Sequence, residues 1–356
     1  MNSDDAPSVG RDGLLEKQCK HPLHRQGRAK VPCTERCAQK RLKAVIMTRL
    51  TVSINAYNGM PYLTEAVESI LNQTMQDFIL FIVNDGSTDG TAEYLKKLTD
   101  PRIRVLDQEN SGTAASSNRA ISECKTEYIV RMDADDISLP TRLECLLKFM
   151  DANPAVGMAG SQAVWFSEHG TGNSLKLPTR HDDIWSALMG GYHAMVHATL
   201  IMRTEVIRRA GGYWQYRHYD DDTDMMLRMG ETAKLANIDK VLYHYRILAG
   251  SLSGAGLKRV RFSYDYSIEL ARRRASGLAP LTPEAFEASL RARPWWIRVC
   301  DAVEFHGRVQ YRKAVQEIFN EKPMFGRLRL GWASICAPRL TYQRVLRIMR
   351  PVVDID

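Results

Sequence analysis

The chain has 356 residues, 44% of them hydrophobic and 25% charged, which is enough to bury an enzyme-sized core of about 200 to 250 residues with appendages. No stretch approaches the roughly 18 continuous apolar residues that cross a bilayer, and the charged first residues lack the apolar segment of a secretory signal, so the reading is a cytosolic chain able to touch a membrane surface. Seven cysteines are an odd number, and Cys124, Cys145, Cys300 and Cys336 are scattered through otherwise regular segments, so they read as reduced thiols and not as a disulfide framework.

Residues 1–46 are polar and basic, hold no sustained period of two or 3.6, and read as a disordered extension. Cys19, His21, His24, Cys33 and Cys37 could ligate zinc there, but their spacing matches no common finger. Met47, directly ahead of the first strand, is an equally good start, in which case the extension is not translated.

From Leu50 the chain alternates short β-branched or apolar runs with longer amphipathic ones. Strands are predicted over Thr51 to Ile54, Phe78 to Val83, Ile103 to Leu106 and Tyr128 to Met132. Each is followed by a helix: Tyr62 to Leu71, Thr91 to Leu98, Thr113 to Ser122 and Leu139 to Met150. Four strand-then-helix units predict an α/β, doubly wound sheet, mixed but largely parallel. Beyond Val164 the alternation decays. A strand-like Ala198 to Met202, a helix over Glu205 to Ala210, a Gly211-Gly212 turn, an acidic run and a helix over Thr223 to Met229 follow. The organisation read from this is a domain over 47–254, with 47–150 and 151–254 its two halves and the second a candidate catalytic or acceptor-binding half, and a basic helical region over 255–356. That last region includes helices over Leu257 to Arg274, Glu284 to Arg291 and Trp295 to Phe319.

Ligands of an open parallel sheet bind beyond the carboxyl ends of its strands, so polar residues just after strands matter most. Strand one ends in Asn55-Ala56-Tyr57-Asn58, strand two in Asn84-Asp85-Gly86-Ser87 and strand four in Asp133-Ala134-Asp135-Asp136. Carboxylates two apart in a tight loop repel one another unless a hard cation sits between them, and Mg²⁺ or Mn²⁺ needs only one or two of them when substrate phosphates complete its shell. A solvated acidic loop capping the next helix gives the same pattern. Asp85 has the same two readings: an Asx turn or helix cap, or a carboxylate accepting hydrogen bonds from a base or ribose. No Gly-x-Gly-x-x-Gly follows strand one, and no Gly-Lys-Ser/Thr loop is present, which removes dinucleotide and P-loop readings.

Five motifs in order carry a resemblance: Val52-Ser-Ile-Asn-Ala-Tyr-Asn-Gly, Ser69-Ile-Leu-Asn-Gln-Thr, Val83-Asn-Asp-Gly-Ser-Thr-Asp-Gly-Thr, Asn110-Ser-Gly and Arg131-Met-Asp-Ala-Asp-Asp-Ile-Ser-Leu-Pro. Over Leu50 to Ser253 the chain resembles the family 2 glycosyltransferases of GT-A fold, with His197, Gly211-Gly212-Tyr213 and Asp221-Asp222-Thr223-Asp224 also in place. The resemblance implies inverting transfer from a nucleotide-sugar, most readily a UDP-sugar, to a saccharide or lipid-linked acceptor of bacterial-type surface polysaccharide. It implies that Asp85 binds the base, Tyr57 stacks near it, Asp133 touches the ribose and Asp135, with Asp133 beside it, holds Mn²⁺ or Mg²⁺. Asn55 and Asn118 join the nucleotide-sugar contacts. Asp222, or its neighbour Asp221, becomes the base that takes the acceptor proton, about 90 residues from the metal-binding carboxylates. For these acids the bland reading is a solvated helix N-terminus, and for His197 a satisfied structural histidine.

Three positions depart from the family pattern: Asn55 where proline is frequent, Asn84 where a first aspartate is frequent, and Ser117 where arginine is common. In Tyr245-Arg246-Ile247-Leu248 a leucine stands where histidine often closes the site; Arg246 and His244 are the neighbouring candidates. Between Ser251 and Arg350 there are 19 Lys/Arg against 8 Asp/Glu, a net +11 that leaves the rest of the +8 chain at −3. No nucleic-acid module accompanies that charge, so nucleic acid is not an expected partner; its tryptophans fit an anionic membrane surface as well as a merely solvated face. Two other functions remain open to the sequence, a catalytically silent nucleotide-sugar or glycan-binding protein and a sugar-phosphate nucleotidyltransferase.

Overall fold

A computed structural model describes residues 48–167, 170–174, 176–214, 222–247, 257–319, 323–338 and 341. The extension over 1–46 with its zinc candidates, Asp221 and Leu248 lie outside the described residues. The first half runs β1 (Leu50–Ala56), α1 (Tyr62–Leu71), β2 (Ile79–Asp85), α2 (Thr91–Leu95), β3 (Ile103–Gln108), α3 (Thr113–Glu123), β4 (Tyr128–Asp133), β5 (Ile137–Ser138) and α4 (Arg142–Ala152). The second adds β6 (Val156–Ser167), β7 (Gly170–Ser174), α5 (His181–Met189), a 3₁₀ turn (His197–Thr199), β8 (Ile201–Arg203), α6 (Thr204–Arg209), α7 (Asp222–Thr232) and β9 (Lys234–Arg246). Helices α8 (Leu257–Ala275), α9 (Pro283–Arg291), α10 (Trp295–Phe319) and α11 (Pro323–Cys336) follow.

The strands form one sheet in the order β3-β2-β1-β4-β8-β6-β9-β5, with β7 beside β6. Pairing is parallel across β3, β2, β1 and β4 and again between β6 and β9, while β8 is antiparallel to both its neighbours. Both faces are covered, which is why β1 buries Thr51 and Ser53 as fully as Val52 and Ile54. On one face Val52, Ile54, Leu80, Ile82, Val130 and Met132 pack with Leu63, Val67 and Ile70 of α1 and Leu143, Leu146 and Met150 of α4. On the other, Phe81, Val83 and Ile129 pack with Ala120 and Ile121 of α3 and Met225, Met226 and Met229 of α7. Tyr264, Ile268 and Ala271 of α8 belong to this second core, so burial of apolar area ties the first basic helix to the sheet.

Four differences from the sequence expectations have physical causes. The second helix stops at Leu95, because its last residues close i to i−3 bonds, Lys97 to Tyr94 and Leu98 to Leu95. The fourth starts at Arg142 rather than Leu139, since Ile137 and Ser138 pair with His244 and Tyr243 of β9. Ala198 to Met202 divides into the 3₁₀ turn and the three residues of β8. The long strands β6 and β9 escape the periodicity reading: β6 carries Gly157 and Gly160, where an added Cβ would lie 2.5 Å from Ala233 Cβ and Asn237 Oδ1 respectively. Those glycines serve close strand approach rather than a side-chain pattern.

Candidate active site

Parallel register puts the polar strand ends side by side. Asn55 is the partner of Val83 on β2 and of Asp133 on β4, so the ends of three adjacent strands open on one edge. The Asn55 amide donates to Thr113 O at 3.1 Å and Ser117 Oγ at 2.8 Å, joining β1 to the start of α3, and its buried Oδ1 has no hydrogen-bond partner. Serine at 117 supplies an acceptor that the family's frequent arginine would not. Tyr57, just past β1, is 54% exposed and presents its ring to solvent at this edge. Asp85 is buried and organises the loop ahead of α3. Oδ1 accepts from Gln108 Nε2 (2.6 Å) and Ser111 N (2.9 Å), and Oδ2 accepts from Gly112 N (2.8 Å). These bonds hold the loop over 108–112 and neither close an Asx turn nor cap the helix that follows β2, and one acceptor position on Oδ2 remains for a ligand. Gly86 follows at φ 71°, where an added Cβ would lie 2.7 Å from Asn110 N.

The loop after β4 is clamped from below and from the side. Asp133 Oδ1 pairs with Arg131 Nη2 at 2.8 Å, and its amide donates to Tyr243 Oη at 3.1 Å. Asp136 is buried; its Oδ1 accepts from Arg246 N at 2.8 Å, its Oδ2 has no partner, and burial reinforced by Asp133 holds its carboxyl well above the usual range. Arg246 donates from Nε to Asp135 O at 2.6 Å, pairs with Glu65, and lies between the rings of Tyr62 (4.6 Å) and Phe166 (4.3 Å). Beneath the loop Arg142 is fully buried, donating to Arg131 O (2.6 Å) and Ala198 O (2.9 Å) with its guanidinium over the Tyr243 ring; burial pushes it down to about 10.

Asp135 differs from its neighbours. No other side chain bonds to its carboxylate among the described residues, and burial, with the charge of Asp133 added, raises its pKa. A half-desolvated carboxylate beside a second one fits a hard divalent cation, which would relieve both terms. No group of three or more His, Cys, Asp or Glu converges as a closed metal cage among the described residues, so a cation here needs other ligands. His244 is not brought to the carboxylates: its ring packs 5.8 Å from Phe166, and only burial lowers its pKa.

The acceptor-side candidates gather around the turn over 210–213. Asn118 grips Tyr213 by both backbone groups, accepting from its N at 2.8 Å and donating to its O at 2.6 Å. Its amide therefore holds the turn. Gly212, at φ 65°, has no room for a side chain, since a Cβ would lie 2.4 Å from Asn118 Oδ1. His197 Nε2 bonds Tyr213 Oη at 2.6 Å, and burial, aided by Arg131, pushes the imidazole down to about 3. Arg228 of α7 donates to Ala210 O and, at 2.7 Å, to Gly212 O while pairing with Asp224 at 2.6 Å. Asp222 is the first residue of that helix, where its carboxylate meets the positive end of the helix dipole. A cavity of about 460 Å³, bounded by Gly211, Trp214, Arg228, Arg274 and Leu278, opens beside this turn. A larger one of about 530 Å³, bounded by Thr126, Pro154, Arg203 and Thr232, lies at the amino ends of the strands, away from the carboxylates.

Sequence reasoning missed Arg142 and Tyr243 as parts of this site, and reached Tyr213 only as the end of the Gly211-Gly212-Tyr213 motif. Arg131 carried a signal, a cation inside an otherwise apolar strand; Tyr243 carried none.

An open, largely parallel mixed sheet with helices on both faces is the GT-A fold. The crystal structure of S. aureus TarS 1-349 in complex with UDP shares this fold at TM-score 0.52 and 15% identity, over 83% of this chain and 92% of that one. The sequence profile of Glycosyl transferase family 2 matches residues 51–211. The O-antigen biosynthesis glycosyltransferase WbnJ of Escherichia coli is 32% identical over 213 residues, 58% of this chain and 82% of WbnJ. An uncharacterized glycosyltransferase of Haemophilus influenzae is 30% identical over 211 residues, and the match spans 56% of this chain and 65% of that protein. The chain belongs to glycosyltransferase family 2.

Proposed function

We propose that the chain is a divalent-cation-dependent, inverting hexosyltransferase that moves a sugar from a UDP-sugar to a hydroxyl of a saccharide or lipid-linked acceptor in polysaccharide or glycoconjugate assembly. The observation that carries this reading is the pair Asp133 and Asp135 at the end of β4, the second with no side-chain partner among the described residues, beside the polar ends of β1 and β2. Its likeness to an O-antigen enzyme supports the polysaccharide setting. Asp85 keeps one acceptor position for the base, on which exposed Tyr57 stacks, and Asp133 meets the ribose. Asn55 contacts the nucleotide-sugar from between these two strand ends. Mn²⁺ or Mg²⁺ on Asp135, with Asp133 beside it, would neutralise charge growing on the departing diphosphate. Asp222 accepts the proton of the acceptor hydroxyl, with Asp221 next to it in sequence. His197 is neutral near pH 7 and fixes Tyr213 rather than holding charge, and Asn118 and Arg246 are positioning residues. No helix among the described residues is long and apolar enough to cross a membrane, and the proposed place of work is the cytoplasmic face, with the enzyme peripheral to the cell membrane.

The test is release of nucleoside diphosphate from UDP-, GDP- and dTDP-sugars with Mn²⁺ or Mg²⁺, for wild type, Asp135→Ala and Asp222→Asn. Turnover of one donor, abolished by both substitutions, supports the proposal and names the donor. Tight donor binding without turnover on any acceptor would make the chain a binding protein instead.

A further inference from the structure

Helices α10 and α11 form an antiparallel pair. Gly307 allows the contact: an added Cβ there would lie 2.8 Å from Ala337 Cβ, and Trp332 Nε1 donates to His306 Nε2 at 3.2 Å. Arg329, bonded to both Gln310 and Glu317, closes the other end. The pair nevertheless leaves a broad apolar surface in solvent. On α11 Met324, Phe325, Leu328, Trp332 and Ile335 are 52% to 74% exposed, and their spacing of three and four places them on one helical face. On α10 Trp295, Trp296, Val299 and Val303 continue it at 46% to 74% exposure. Solvent contact for so many large apolar groups is costly unless something covers them.

Charge says what the cover is. Each described carboxylate of the pair is already matched with an arginine: Asp301 with Arg293, Glu304 with Arg308 and Glu317 with Arg329. Arg298, Lys313 and Arg327 are exposed and have no ion-pair partner among the described residues. A second copy would bring like charge against this surface. An acyl-chain boundary beneath anionic headgroups satisfies both the apolar stripe and the unmatched cations, and tryptophan favours that depth.

We propose that the α10–α11 pair is a docking surface for an anionic lipid bilayer, lying in the plane of the interface. The opposite side of α10 faces the catalytic body. Arg308 sits 5.8 Å from the Tyr192 ring, and Arg312, one turn on, acts electrostatically on Tyr245 of β9, which also feels Asp133 and Asp135. Docking therefore keeps the catalytic body close above the bilayer, within reach of a lipid-linked saccharide. This deepens the proposed function by assigning the acceptor's side of approach, and rests on that function only for the acceptor.

The experiment is flotation of the full chain with phosphatidylcholine vesicles, with and without phosphatidylglycerol, at low and high salt. Three unmatched cations give a preference for the anionic vesicles of roughly a hundredfold at low salt, which salt erodes. The triple variant Phe325→Ser/Leu328→Ser/Ile335→Ser loses binding to both vesicles. Arg298→Glu/Lys313→Glu/Arg327→Glu loses only the anionic preference. Donor hydrolysis and the melting temperature stay at wild-type values in both variants, so a failure of vesicle binding is separable from a failure of the transferase reading. Absence of wild-type binding, binding unaffected by either triple variant, or a concentration-dependent dimer dissolved by the serine variant would overturn the proposal.

Discussion

The proposed nucleotide-side half and the proposed acceptor-side half hold their polar residues by different means. In the first, Asn55, Asp85 and Asp133 end adjacent parallel strands, and the register that builds the sheet also brings them together. In the second, the turn over 210–213 has no strand to fix it and is held by Asn118 from α3, His197 from the 3₁₀ turn and Arg228 from α7, across separations of up to 95 residues. The first arrangement gives position from the backbone, at little entropic cost beyond folding; the second depends on side chains that must each be ordered. Precision on the donor side should therefore survive most single substitutions outside the carboxylates, whereas the acceptor side should loosen when any one tether is removed.

The largest test of that contrast is Asp135→Ala, expected to lower donor turnover roughly a thousandfold by removing a metal-binding carboxylate, with the fold unchanged by circular dichroism. A smaller loss, rescued by raised Mn²⁺, would show that Asp133 suffices. Asp222→Asn follows, with transfer to acceptor falling roughly a hundredfold while donor KM holds, as expected for loss of a general base. If KM moves instead, the residue belongs with the donor contacts.

The tethers should register in stability. His197 is neutral when folded, with its pKa pushed down to about 3, so the unfolded chain takes the proton first and stability falls as pH drops below the unfolded value. Between pH 7 and pH 5 this one group should cost about 2 kcal/mol, measured as the difference between wild type and His197→Gln in urea unfolding at each pH. Identical pH dependence of the two would mean that the imidazole is solvated. Smallest is Asn118→Asp, which keeps an acceptor for Tyr213 N but loses the donor to Tyr213 O; urea unfolding should report a loss of about 1.5 kcal/mol. In that variant kcat should fall more than the donor KM changes, and the reverse would place Asn118 at the nucleotide.

The same contrast explains what could be read from the residues alone. Strand ends followed by Asn-Asp-Gly-Ser or Asp-Ala-Asp-Asp are local patterns, so the four strand-helix units and the convergence of Asp85 with Asp133 were legible. Register then added what spacing could not: Asn55 between Val83 and Asp133, with Ser117 as its acceptor. The strands β6 and β9 were illegible, since Gly157 and Gly160 answer to atoms about 77 residues away rather than to alternation. Asn118 has a role that its sequence neighbourhood does not show: its amide holds a turn 95 residues on.

The manner in which Asn118 holds that turn has a practical corollary for protein engineering. Both of its bonds go to main-chain atoms of Tyr213, and Arg228 likewise meets the turn through the carbonyls of Ala210 and Gly212. An anchorage that recognises peptide groups is blind to side-chain identity downstream, whereas it forbids a β-carbon at 212. A segment exchanged over 215–221 leaves Asn118, Arg228 and Asp222 in place, so the same mooring should receive it.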